Sequence, residues 1–299
     1  MKLPSESDAV DRNTSGPDTA ENAHPYDPFK LAARRISRTS MLSGLVVTSA
    51  LLGAACSSNI TPAVLGAGGG AGSDSLGIGP DGKYSDIDIV NFALNLEYLE
   101  AEFYNVAVHG KTIEQMGVKV NGVGNRGPTT GGKKVDISDK TEAGVSDQIA
   151  NDELTHVEFL RSVLGNKAIA KPAINLDALG IGFANSMQFL VLARAFEDTG
   201  VSAYGGAAPL ISSKEILGAA ARILATEAQH TGSIRTMIAQ MHVSTNPPGR
   251  LDKKDKLPPP SGHLYFDVNQ DGLSQIRTFS EVIAIAKPFF PNGINGNIQ

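Results

Sequence analysis

Asp152-Glu-Leu-Thr-His-Val-Glu-Phe-Leu-Arg161 sets a carboxylate, Glu153, three residues before an imidazole, His156. The run around it has a helical period: Ile149, Ala150, Val157, Leu160 and Leu164 fall on the same face as the two polar groups. Ala225-Thr-Glu-Ala-Gln-His230 repeats the spacing, with Glu227 and His230 on the face of Ala220, Ile223, Leu224, Ile234 and Ile238. Two more runs place a Glu on an apolar face and a Tyr seven residues on. These are Glu97 and Tyr104, among Val90, Ala93, Leu94, Ala101 and Val108, and Glu197 and Tyr204, among Leu190, Ala193 and Val201. With 13 Glu, 6 His and 6 Tyr in 299 residues, chance supplies well under one instance of either spacing. Each occurs twice, in alternating order.

A buried carboxylate without a partner is costly, and four in one core are more so. Two divalent cations would neutralise them. Glu and His at i and i+3 lie on one helix face and can reach one ion. Two Glu-x-x-His helices with two single-Glu helices make the ligand set of di-iron and di-manganese carboxylate bundles. Tyr104 and Tyr204, two turns beyond Glu97 and Glu197, are placed to hydrogen-bond a ligand carboxylate.

The period predicts helices over about 86–108, 140–164, 175 or 179–204, and 213–241. Each is about 30–40 Å long at 1.5 Å per residue. Lengths this even predict an all-α four-helix bundle over 84–242. The 14 or so non-helical residues at 166–179 can span a helix length, so the second and third helices can run parallel, joined by a long crossover. The Gly-rich stretch 111–140 is too long for a passive connection, and a hairpin is expected near 118–123. Residues 243–299, rich in Pro, Gly and Asp with one helix at 279–286, have too few apolar residues for a core of their own. They are read as an irregular extension wrapped on the bundle.

Upstream, residues 1–56 read as an export segment. A polar stretch leads to Arg34-Arg35-Ile36-Ser37-Arg38 and then an uncharged apolar run over 41–55. Fifteen residues are short for a membrane-spanning helix and fit a signal-peptide core. The paired arginines resemble a twin-arginine export signal. Cys56, the single cysteine, closes Leu51-Leu52-Gly53-Ala54-Ala55 as in a lipoprotein cleavage site, although Gly53 stands where such motifs prefer Leu. Lipidation at Cys56 would attach the protein to a membrane; the alternatives are ordinary cleavage near Ala55 and a retained N-terminal anchor. Residues 57–83, Gly- and Ser-rich, read as a flexible linker. The expected location is the periplasm or cell envelope. One cysteine excludes an internal disulfide and a cysteine-based zinc site, and a net charge of −5 argues against nucleic acid as partner.

Several stretches resemble the ferritin-like superfamily, and its desiccation-related family in particular. They are Phe92-Ala-Leu-Asn-Leu-Glu-Tyr-Leu-Glu-Ala-Glu-Phe-Tyr104, the two Glu-x-x-His segments, Gly205-Gly-Ala-Ala-Pro-Leu-Ile211 and Phe289-Phe-Pro-Asn-Gly-Ile-Asn-Gly296. The resemblance covers about 84–296. It implies a ferritin-like bundle with two metal ions, iron or manganese, on Glu97, Glu153, His156, Glu197, Glu227 and His230. The Gly-rich stretch and the extension depart from compact ferritins and argue against a storage cage.

Other polar residues receive lesser readings. Glu100 stands at the edge of the site face, as a surface group or alternate ligand. Asn91, Asn95, Glu102 and Asn105 fall on the opposite face of the first helix, and Glu102, Glu158 and Asp152 are expected in solvent. Arg194 is placed on the rim or paired with an acid, and His109, His242 and His263 at the surface. Asp267, Asn269 and Asp271-Gly272 look like part of a calcium loop, but the fragment lacks the twelfth-position Glu. The functional expectation is an exported redox protein acting on Fe²⁺ with O₂, or on peroxide, under oxidative or drying stress. The alternative is a non-catalytic stress protein with a structural metal site. A homo-oligomer is left open.

Overall fold

The computed structural model describes residues 83–299. The export segment with Arg34-Arg35, the residue Cys56 and the linker up to residue 82 lie outside the described residues. Among the described residues four long helices carry the fold: α1 Asp86–His109, α2 Lys140–Leu164, α3 Ser186–Ala207 and α4 Lys214–Gln240. A short α5, Phe279–Ala286, follows, and two-residue strands β1 Thr129–Thr130 and β2 Ile174–Asn175 lie between the long helices. Among the described residues no helix is long and apolar enough to cross a membrane.

Side-chain caps set the helix starts. Ser85 accepts from the Asp88 amide and Asp88 returns to Ser85, a capping box that satisfies two of the unpaired donors at that end. Asp139, Asn185 and Ser213 cap α2, α3 and α4. Helix α3 begins later than the apolar period suggests, because Gly180 and Gly182 take positive φ values of 65° and 111° and break the chain before Asn185.

Contacts along the helices give their directions. Asn105 donates to the Ala150 carbonyl and Tyr98 to that of Ile169, just beyond the end of α2, so α1 and α2 are antiparallel. Phe103 stacks on Phe189 while Glu97 meets Tyr204, so α1 and α3 are also antiparallel, which makes α2 and α3 parallel. The segment from Gly165 to Asn185 is therefore the long crossover, and the bundle is all-α and ferritin-like in connectivity.

The hairpin expected near 118–123 is absent. That segment pairs instead with the crossover, in parallel: Val123 donates to Ala168, Ala170 to Val123 and Lys171 to Val120. Further along, β1 lies parallel to β2. Gly122 lacks the positive φ that an Asn-Gly hairpin turn requires. Its role is close approach, since a Cβ there would lie 2.2 Å from the Ala168 carbonyl oxygen.

This layer also buries the α1 face expected to meet solvent. Asn91 bonds Lys167 and Ile169 of the crossover, and Asn95 exchanges hydrogen bonds with Asn295. Glu102, fully buried, accepts from the Ile113 amide and lies 3.3 Å from Lys171 Nζ. Parts of the extension lie against the bundle. Arg277 bonds the Ser202 carbonyl and hydroxyl on α3, Phe279 packs on Phe92, and Phe289 packs on Phe196. Of the two places expected for Arg194, it takes the acid-paired one and not the rim: it is fully buried between Asp198 and Asp255.

Candidate metal centre

Each long helix delivers its glutamate to the middle of the bundle. Glu97, Glu153, Glu197 and Glu227 are completely buried; His156 and His230 are 9% and 5% exposed. His156 Nδ1 lies 3.2 Å from Glu97, 3.4 Å from Glu153 and 3.5 Å from Glu227. His230 Nδ1 lies 3.0 Å from Glu153 and 3.3 Å from Glu197. The donors form two foci, Glu97–Glu153–His156–Glu227 and Glu153–Glu197–Glu227–His230, each with its atoms within 4.8 Å of one another. Glu153 and Glu227 belong to both, so the carboxylates of the two Glu-x-x-His motifs lie between the foci.

These atoms crowd together without satisfying one another. Glu97 Oε2, both carboxylate oxygens of Glu153, Glu197 and Glu227, and Nδ1 of both histidines have no hydrogen-bond partner of good geometry. Buried polar atoms are nearly always bonded, so a convergent set left open in this way fits a bound cation. Glutamate oxygens with imidazole nitrogens suit iron or manganese.

The surroundings orient the donors. Asp152 Oδ2 lies 3.2 Å from His230 Nε2, which leaves Nδ1 turned inward. Asp152, expected in solvent, is partly exposed but is also a partner of the site. Tyr204 donates to Glu97 Oε1 at 2.5 Å, so α3 supports the ligand of α1. Tyr104 forms no hydrogen bond of good geometry, yet burial and then the Glu197 charge hold its pKa well above the usual phenol range. Tyr204 of α3 therefore serves Glu97 of α1, while Tyr104 makes no matching hydrogen bond to Glu197.

Glu100 is buried, not superficial. It lies beside Glu227: a Cβ added at Gly200 would come 2.4 Å from Glu227 Oε2 and 3.1 Å from Glu100 Oε1. Glycine one turn after Glu197 makes room for both carboxylates.

The charges follow from this crowding. Burial, and then the Glu97 charge, push Glu153 up to about 7. Burial and neighbouring carboxylates raise Glu227 and Glu100 well above the usual range. Glu97 goes the other way: burial pushes it up, but the His156 charge and its hydrogen bonds outweigh this and hold it down. Burial alone would lower both imidazoles. Glu97 and Glu153 around His156, and Glu197 and Glu153 around His230, hold them up at about 12. Without a metal, protons take the place of cations.

Sequence reasoning brought all six donors and both tyrosines to one place. It missed Asp152, one residue before Glu153, and the depth of Glu100, although its i+3 spacing from Glu97 carried that signal. Glu158 is exposed, as expected.

Residues 85–240 match the family model described as a ferritin-like domain. A desiccation-related protein of Craterostigma plantagineum is 27% identical over 172 residues, 52% of this chain and 53% of the relative. The chain thus spans about half the length of the curated relative it matches. The match to the family model takes in the four helices and all six donors, just over half of the sequence, and the chain belongs to the ferritin-like domain family.

Proposed function

We propose that the chain is a di-metal carboxylate protein that holds two divalent ions, iron or manganese. Glu97 and His156 would serve one ion, Glu197 and His230 the other, and Glu153 and Glu227 both. The observation that carries this reading is the open set of buried donors in two foci that share two carboxylates. When bound, such a pair of ions supplies Lewis acidity and electron transfer.

The chain's own contribution is position and exclusion. Tyr204 fixes the orientation of Glu97, and Asp152 that of His230. Burial keeps bulk water from the carboxylates. Glu100, close to Glu227 and favouring its protonated form, can exchange a proton beside the ligands. We read the activity as redox chemistry on Fe²⁺ with O₂, or on peroxide. The name of the Craterostigma relative supports a setting of drying stress. Export through the Arg34-Arg35 signal, with Cys56 as a lipid anchor in the periplasm or envelope, belongs to the same proposal.

A second reading is a structural, non-catalytic metal site. Complete burial of four carboxylates favours it, since the most exposed donor, His156, is only 9% accessible. Metal analysis of the purified full chain, with Fe²⁺-oxidation and peroxide-turnover assays, separates the two. Two ions with turnover is the expected result. Two ions without turnover selects the structural reading, and fewer than two per chain ends the di-metal proposal.

A further inference from the structure

Asp198 and Thr231 directly follow the proposed ligands Glu197 and His230 in the chain. They point away from that centre and line a cavity of about 210 Å³, together with Asp267, Ser274 and Gln275 of the extension. Asp198 is 2% exposed, Thr231 8% and Asp267 9%. Asp198 Oδ1, Thr231 Oγ1 and Asp267 Oδ1 all lack a hydrogen-bond partner. Oxygens of Asp198, Asp255 and Asp267 lie within 4.8 Å of one another.

The charges do not balance. Arg194 and Arg235 both bond Asp198 Oδ2, and Arg194 also holds Asp255. Arg277 is engaged with Asp252. Two guanidinium groups therefore face three carboxylates, and Asp267 is the one without a direct cationic partner among the described residues.

We propose that Asp198, Thr231 and Asp267, with Asp255 beside them, form a site for one calcium-type divalent cation. The donors are all oxygen, which suits calcium or magnesium over transition metals. The cavity is several times the roughly 30 Å³ share of one water, leaving room for waters to complete an irregular shell. Such a shell suits calcium, whereas magnesium demands a near-ideal octahedron. The Asp267 carboxyl supports the reading: burial, and then the Asp198 charge, push it up to about 7. A cation would relieve both effects. The turn Asp267–Asp271 is a poor competitor, because Asn269 Oδ1 already accepts from the Asp271 and Leu273 amides and Asp271 is exposed. The ion would clamp the extension to α3 and α4 directly behind Glu197 and His230.

Calcium binding to the full chain tests this, by equilibrium dialysis and by thermal melting in calcium-free, millimolar-calcium and millimolar-magnesium buffers. One calcium per chain and a higher melting temperature are expected, with magnesium giving the smaller shift. Asp267→Asn should lose on the order of tenfold or more in calcium affinity. In calcium-free buffer it should melt no lower than the parent, since it removes an unbalanced buried charge, and its iron or manganese content should be unchanged. Asp271→Asn should bind calcium like the parent. No calcium uptake by the parent, or undiminished uptake by Asp267→Asn, overturns the proposal. Loss of calcium in Asp271→Asn also overturns it, by moving the ion to the turn.

Discussion

Glu153 and Glu227 differ from the other ligand candidates because each stands in both foci. Glu153→Ala or Glu227→Ala should therefore deprive both ions of a ligand, and metal analysis should find fewer than one ion per chain. Glu97→Ala touches only the His156 focus and should retain the ion beside His230. Protonation supplies a second prediction at this scale. His156 and His230 sit at about 12 in the metal-free protein, so both are charged at neutral pH. Their Nδ1 atoms must shed those protons to bind metal, so loading at pH 7 should release about two protons or more per chain and weaken as pH falls. Titration in buffers of different ionisation enthalpy measures the release. The sequence reveals these donors because Glu and His at i and i+3 are rare on apolar faces. It does not reveal that Tyr204 serves Glu97 of another helix, since helical spacing describes only one helix at a time.

Among the elements, α3 and α4 meet closely where Gly200 faces Glu227. Gly200→Ala would drive a methyl group into the Glu227 carboxylate. It should cost about 1–3 kcal/mol of stability in urea unfolding and lower metal content with it. On α1 the sensitive pair is Glu102 with Lys171. Glu102→Ala leaves a buried ammonium without its carboxylate and should cost about 3–5 kcal/mol, again by urea unfolding. This pair shows where the helical period misleads. Glu102 lies opposite the site face and reads as solvated on α1 alone, but the long connection after α1 and the crossover cover that side. Bounds of α2 and α5 were legible because caps and breakers coincide with the apolar period. The parallel pairing of Val123 with the crossover was not, because Asn121-Gly122 carries the composition of a hairpin while Gly122 is needed for contact with Ala168.

At the scale of the whole molecule, residues 243–299 are held in shape partly by acid–base pairs of their own. Asp252 is held down to about 2, chiefly by Arg277, and Glu281 to about 2, chiefly by Lys254. For depressed carboxylates the stabilisation is fully present above the ordinary range near 4 and is lost as pH falls through the folded values near 2. The extension should therefore become protease-sensitive between about pH 4 and pH 2, which limited proteolysis with an acid-active protease would detect. The role of this extension in pairing with Arg194 and Arg235 was not legible in the sequence. One contact of this layer also bears on timing. Asn95 in the interior of α1 finds its partner in Asn295, 200 residues away. At about 5–20 residues per second of synthesis, roughly 10–40 s separate the appearance of the two amides. For that interval α1 carries an amide group whose final partner has not been made, so this buried polar contact forms only when nearly all of the described chain has emerged.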